Sequence, residues 1–265
     1  MTTTVASAIT PSTEWRTGGR GGKQRLIKHP VTGEDVPVQR VSTFAKTLDT
    51  KDNLIDWMAW KAVIGAHHLP AVAAQARHAE GTPKGLIEQL AEAGGSKDKA
   101  RRGSDRHAIL AMALTGAALP PLPDGSRAEL DRILRLIESL GTVVAVEAAT
   151  ACIELGTAGT VDLVLEAPDG QTIVADFKTG RHDALSHGIQ LMAHARSNYY
   201  DLANEAWLDP LSRSQPRLVT LHAPQDGTEP RAIDIPVEDA RRWTMLAVQV
   251  REARREAAAM TRRAA

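Results

Sequence analysis

Between Gly159 and Gly180 the chain reads GTVDLVLEAPDGQTIVADFKTG, and Asp162, Asp176 and Lys178 are its residues best suited to chemistry. Two carboxylates can hold a divalent cation through oxygen, and an ammonium beside them can stabilise negative charge that develops during hydrolysis. The alternating runs 160–167 and 171–178 flank Pro168-Asp169-Gly170, residues that suit a tight reversal, so the stretch reads as a β-hairpin. A three-residue loop centres the pairing on Asp169 and sets Asp162 opposite Asp176. Alternation then puts Asp162, Val164, Val174, Asp176 and Lys178 on one face. Val161, Leu163, Leu165, Ile173, Ala175 and Phe177 share the other, which reads as core. Like charges facing each other in a sheet are destabilising, so the aspartates call for compensating cations. Lys178 supplies one positive charge and a divalent metal can supply the rest. In an arbitrary hairpin the same residues would more often be a solvated face with Lys178 as an ordinary cross-strand partner.

The spelling separates these readings. Gly159-Thr160-Val161-Asp162, a turn, then Asp176-Phe177-Lys178 resembles the active-site motif of the PD-(D/E)XK nuclease superfamily. Within it the chain looks most similar to the RecB-like exonuclease branch, of the phage-encoded and CRISPR-associated type. Arg40-Val41-Ser42-Thr43-Phe44, followed by Leu54 and Trp57, resembles that branch's entry segment. Gly103-Ser104-Asp105-Arg106-His107 matches its histidine motif at the start of a helix. Gln190 matches its Gln-x-x-x-Tyr motif, with His194 at the tyrosine position. The resemblance implies a restriction-endonuclease-like core, a central mixed β-sheet flanked by helices. It further implies a metal-dependent DNA exonuclease serving phage recombination or DNA processing. Its catalytic residues would be Asp162, Asp176, Lys178, Glu147 and Gln190. His107, Asp162, Asp176 and the Phe177 carbonyl would hold the metal, and an oxygen-dominated shell favours Mg²⁺ or Mn²⁺. Cys152 is the only cysteine, so the iron–sulfur cluster of the CRISPR-associated type is not expected. A structure-specific endonuclease and a noncatalytic DNA-binding or assembly module on the same fold are the alternatives.

The elements that must position these residues follow from periodicity. Short strands are expected over 25–29 and 36–41, and helices over 53–64 and 66–95 with breaks at Pro70 and Gly81-Thr82-Pro83. Ser104 is placed to cap a helix over 105–116, and a further helix spans 127–140. The β-prone run 142–153 carries Glu147, a carboxylate in an otherwise apolar strand and so in need of a partner. A helix over 186–204 puts Gln190 and His194 on one face, both placed to meet DNA. Strands over 217–223 and 232–236 precede a long helix over 237–263, which buries Trp243, Leu246 and Val250 and turns its arginines to solvent.

At 265 residues with 43% apolar content, the expectation is a flexible basic arm over 1–24 and one domain over 25–265, its catalytic core about 103–223. Formal net charge is zero, so contact with DNA must come from local patches. The glycine string 18–23 departs from a P-loop, because Thr17 stands where the first glycine belongs and Gln24 follows Lys23. His67, His68 and His78 read as surface histidines. No run of eighteen apolar residues and no signal-peptide pattern occurs, so a cytoplasmic protein without membrane contact is expected.

Overall fold

The computed structural model describes residues 15–18, 24–50, 52–123 and 125–264. The chain divides into two compact units, Asp49–Ala108 and the remainder. Ten strands are described, all in the larger unit: β1 (Thr17–Gly18), β2 (Gln24–Lys28), β3 (Asp35–Arg40), β4 (Thr142–Cys152), β5 (Thr157–Glu166), β6 (Thr172–Lys178), β7 (Asn198–Asp201), β8 (Ala206–Pro210), β9 (Arg217–His222) and β10 (Arg231–Ile235). The helices are α1 (Val41–Ala45), α2 (Asp52–His68), α3 (Pro70–His78), α4 (Lys84–Ala93), α5 (Asp98–Thr115), α6 (Ser126–Leu140), α7 (Ala184–Ala195) and α8 (Val237–Ala264). The fold class is mixed α/β, with a mixed sheet, flanking helices and a long C-terminal helix.

Strand β5 organises the sheet. β4 runs antiparallel along one whole edge, from Thr157 paired with Cys152 to Glu166 paired with Thr142. The other edge is shared: β3 pairs in parallel at Thr157 and Ala158, and β6 pairs antiparallel from Leu163 to Glu166. Between them, Gly159 to Asp162 have no ladder partner on that edge. β6 continues in parallel with β9, which pairs antiparallel with β10.

The hairpin register is the one its turn dictates. Leu163 pairs with Ala175 and Glu166 with Thr172, so the pairing centres on Asp169. Gly170 takes a φ of 81° and Gln171 donates its N–H to Asp169 Oδ1 at 3.0 Å, the geometry that a glycine and an Asx side chain supply to a three-residue loop. Leu163, Leu165, Ile173, Ala175 and Phe177 pack with Val219, Leu221 and the buried Leu130, Ile133 and Ile137 of α6. Val164 and Val174 pack on the other side with Leu191 and Met192 of α7 and Leu218 of β9. Val161 departs from expectation, because it joins Val164 and Val174 and not Leu163. Alternation is therefore broken at Asp162. On β4 the same break falls at Glu147, whose neighbour Val146 packs with Leu163 while Ala148 packs with Val161. Glu147 has a φ of 49°, and a left-handed residue changes the direction of the pleat.

Two expected boundaries move, and the buried side of α8 differs from expectation. α5 begins at Asp98, so Ser104 is interior and its Oγ donates to the Ala100 carbonyl at 3.1 Å; it caps nothing. α7 ends at Ala195, and Tyr199 and Tyr200 lie in a strand that pairs with β4. In α8 the buried side is Ala240, Thr244 and Ala247, with Leu246 46% exposed. Arg251 of that helix is not turned to solvent: it lies 4.8 Å over the Phe44 ring and donates to the Leu155 carbonyl at 2.7 Å. Of the expected arm, residues 1–14 and 19–23 lie outside the described residues. Trp15 stacks on Tyr200, and β1 pairs with β2, so that part is ordered against the sheet. No helix among the described residues is long and apolar enough to cross a membrane.

In the Asp49–Ala108 unit, α2 and α4 meet through glycine. A Cβ at Gly65 would stand 1.7 Å from the Leu90 carbonyl oxygen, and one at Gly94 2.0 Å from that of Lys61. Of the expected apolar face of α2, Trp57 and Met58 are half-buried, whereas Leu54 is exposed. Gly65→Ala must push backbone against backbone and is expected to destabilise this unit by about 1–3 kcal/mol. Gly85→Ala, in α4 with open space around it, is expected to stabilise by about 0.5 kcal/mol through helix propensity. Urea unfolding of both variants measures the contrast.

Candidate active site

The carboxylates gather where β5 loses its neighbour. The β5–β6 ladder stops at Leu163 and Ala175, one step short of Asp162 and Asp176. There the Asp162 carboxylate takes over the role of a backbone partner, its Oδ2 accepting the Phe177 N–H at 2.9 Å. On the β4 side, the pairs Val146–Leu163 and Ala148–Val161 bracket Glu147 and Asp162, which therefore face each other. One oxygen of each lies within 4.8 Å of the other. Asp176 is 2% exposed and held from two sides. Gln190 Nε2 donates to its Oδ1 at 2.7 Å, and the Lys178 ammonium stands 2.6 Å from its Oδ2. The second contact is a buried ion pair with hydrogen-bond character.

This crowding sets the charge states. Burial, followed by the charges of Asp176 and Glu147, pushes Asp162 well above the usual carboxylate range, against the pull of Lys178 and the Phe177 N–H. Burial and Asp176 raise Glu147 in the same direction. Burial alone would lower Lys178, but Asp176 and Asp162 outweigh it, so its pKa is raised and the amine stays cationic. If all three carboxylates ionise, Lys178 offsets one of three negative charges. Oxygen ligands of a divalent ion stand at about 2.0–2.6 Å from it, so the spacing of Glu147 and Asp162 fits a hard cation. Phe177 itself is core, with its backbone at the edge of the group. His107 is half-buried on α5, in the Asp49–Ala108 unit.

Helix α7 carries Gln190 into place. Asp183 caps it, its Oδ1 accepting from Leu185 N at 3.2 Å and Ser186 N at 3.3 Å. One turn beyond Gln190, His194 does not reach a surface where DNA could lie. It is 2% exposed, and Nδ1 is 2.8 Å from Thr150 Oγ1. Burial brings its pKa down to about 4, so the ring is neutral. A Cβ at Gly159 would stand 2.9 Å from His194 Cε1, which gives the glycine of the Gly-x-x-Asp motif a packing reason. The expected pairing of Gln190 and His194 on substrate is thus replaced by a division: Gln190 orients Asp176, and His194 ties α7 to β4.

The sequence reading missed a second histidine group beside Lys178. His187 Nδ1 and His182 Nδ1 are 3.3 Å apart, and His222, register partner of Lys178, places Nε2 2.7 Å from the Gly180 carbonyl. Burial lowers His187 to about 4. Their one signal was position: His182 follows Lys178 by four residues, and His187 opens α7.

The raised Asp162 pKa has a sign. In the unfolded chain Asp162 ionises near 3.8, and in the folded one only at higher pH. Between these values the folded state holds the extra proton, so its stability falls as pH rises from about 4 through the folded value. Asp162→Asn keeps an oxygen for the Phe177 N–H and removes the charge. Its urea midpoint is expected to exceed the wild type's at neutral pH and to decline less steeply across a pH series, the remainder coming from Glu147.

No family model matches the chain, and no curated protein matches it.

Proposed function

We propose that the protein is a metal-dependent DNA exonuclease of the PD-(D/E)XK superfamily, RecB-like in type. The observation that carries this reading is the meeting of Glu147, Asp162 and Asp176 with the Lys178 ammonium at the break in the β5 edge. Such a group costs stability and is unneeded by the fold, whereas phosphodiester hydrolysis needs both its charges and its cation-binding oxygens. Asp162 and Glu147 would hold Mg²⁺ or Mn²⁺, with Asp176 and the Phe177 carbonyl as further ligands. A divalent ion in that shell supplies charge neutralisation of the phosphate and a lowered pKa for water.

The chain's own residues do the rest. Gln190 fixes the rotation of the Asp176 carboxylate, and the Phe177 N–H fixes that of Asp162. Lys178, held cationic by those carboxylates, orients the attacking water or stabilises charge on the phosphate oxygens as the new bond forms.

End-labelled linear and closed circular DNA, incubated with Mg²⁺ or Mn²⁺, test the reading. Loss of the linear substrate alone is expected, and Asp176→Ala should abolish it. Cutting of circles would make the protein an endonuclease with the same chemistry. Cutting of neither, with Asp176→Ala indistinguishable from wild type in DNA binding, would leave a binding module and sink the catalytic reading.

The metal has a separate readout. Mn²⁺ at about ten times its dissociation constant should stabilise the wild type by about 1.4 kcal/mol. Thermal melting should show that shift, and Glu147→Gln with Asp162→Asn should remove it.

A further inference from the structure

A second charged feature lies beside the start of β5. Arg25 of β2 sits under Trp15, its guanidinium carbon 4.3 Å from the ring centroid. Trp15 in turn stacks on Tyr200, and its Nε1 donates to Thr160 Oγ1 at 3.5 Å. Arg25 Nε and Nη1 are buried and have no hydrogen-bond partner among the described residues. The charged neighbour acting on it is another cation, Arg40, and burial together with that repulsion lowers the Arg25 pKa to about 10. Arg40 is exposed.

The sheet register fixes where this pair stands. Arg25 is opposite Val38, two residues before Arg40, and Arg40 is the register partner of Ala158. Thr160 is the next residue of β5 on that face, and Asp162 stands two residues further along the strand. At 3.3 Å per residue, Arg40's level on β5 is about 13 Å from Asp162. Stacking on Trp15 uses the face of the guanidinium and leaves its in-plane N–H groups unspent. A half-buried cation beside a second cation, with its donors unmet, is unfavourable in the free protein. Its donors match the geometry of a phosphate, which accepts in-plane guanidinium hydrogen bonds in pairs.

We propose that Arg25 and Arg40 form an anion subsite that takes a phosphate group of the substrate, displaced along β5 from the carboxylate group. That this phosphate belongs to DNA rests on the nuclease reading; the anion subsite does not. Thr160 and Trp15 link the two places, so a strand whose one phosphate is held by the arginines is aimed along β5 toward Asp162.

The test is run in EDTA, without metal and without cleavage. Thermal melting of wild type, Arg25→Met and Arg40→Gln is measured in inorganic phosphate and in chloride of equal ionic strength. Phosphate should raise the wild-type melting temperature over chloride, and neither variant should respond. In chloride, Arg25→Met should melt above the wild type, because the unmet cation is gone; a purely structural stacking role predicts the reverse. Binding of a labelled single-stranded oligodeoxynucleotide should weaken about tenfold in each variant. Carried out with 5′-phosphorylated and 5′-hydroxyl versions, weakening confined to the former assigns a terminal phosphate, and weakening of both an internal phosphodiester. Phosphate shifting none of the proteins, or shifting variants and wild type alike, overturns the subsite. Arg40→Gln is an exposed change and keeps the test open if Arg25→Met fails to fold. Failure of wild type to cleave DNA with any metal, alongside an intact phosphate response, strikes the nuclease reading alone.

Discussion

The structure turns on one edge of one strand. β5 cannot pair with β3 and β6 at the same residues, and the two partners leave its middle bare between Ala158 and Leu163. A buried backbone N–H without a partner costs roughly 1–3 kcal/mol, and at Phe177 the Asp162 carboxylate meets that need. The opposite strand answers the same break with Glu147 in the left-handed region, a conformation that costs a non-glycine residue about 1–3 kcal/mol. Both irregularities turn carboxylates out of the regular alternation and toward Asp176. The geometry that interrupts the sheet is thus the geometry that collects the charges.

Helix α7 keeps that interruption from closing. It is capped by Asp183 at one end, bonded to Asp176 through Gln190 in the middle, and anchored by His194 to Thr150 near the other end. Its outer side is seated as tightly: a Cβ at Gly188 would lie 2.9 Å from the Trp243 ring of α8. A helix pinned to β4, β6 and α8 fixes the Asp176 carboxylate to within hydrogen-bond tolerance, which a loop in its place would not. The neutral state of His194 belongs to the same logic, since a charged imidazole at 2% exposure would need an anion where only a hydroxyl stands.

The parts legible in the sequence are those set by local chemistry. Pro168-Asp169-Gly170 fixes its own turn, the turn fixes the register, and the register places Asp162 and Asp176 at the same level. The amphipathic run of α6 is equally local. What was hidden depends on partners far along the chain. β7 exists because Asn198 and Tyr199 pair with Ala151 and Thr150, so a segment that continues the helical pattern of α7 extends instead. The break at Glu147 is invisible because nothing in Val146-Glu147-Ala148 marks a positive φ; it arises from the strand opposite. Ser104 misled for a related reason: its hydroxyl suits a cap, but the good helix formers Lys97 to Arg102 carry the helix through it, and the hydroxyl turns back to Ala100. Trp15 gave no signal, and Arg25 read only as one of several cations in a basic N-terminal segment, since a cation's lack of a partner is a property of the folded state.

The apolar walls around the carboxylates are complete without them. Val161, Val164, Val174 and Leu191 close one side, and Leu163, Leu165, Ile173 and Phe177 the other. A fold built on those walls would be more stable with uncharged residues at 147 and 162, because burial and neighbouring negative charge raise both carboxyl pKa values, so the folded state tolerates the ionised forms poorly. The ammonium of Lys178 relieves the crowding in part and is itself drawn out of water to do so. The same holds, with the sign reversed, at Arg25. Two places of opposite unmet charge therefore lie along one strand, and a ligand that carries phosphates and recruits a divalent cation satisfies both at once.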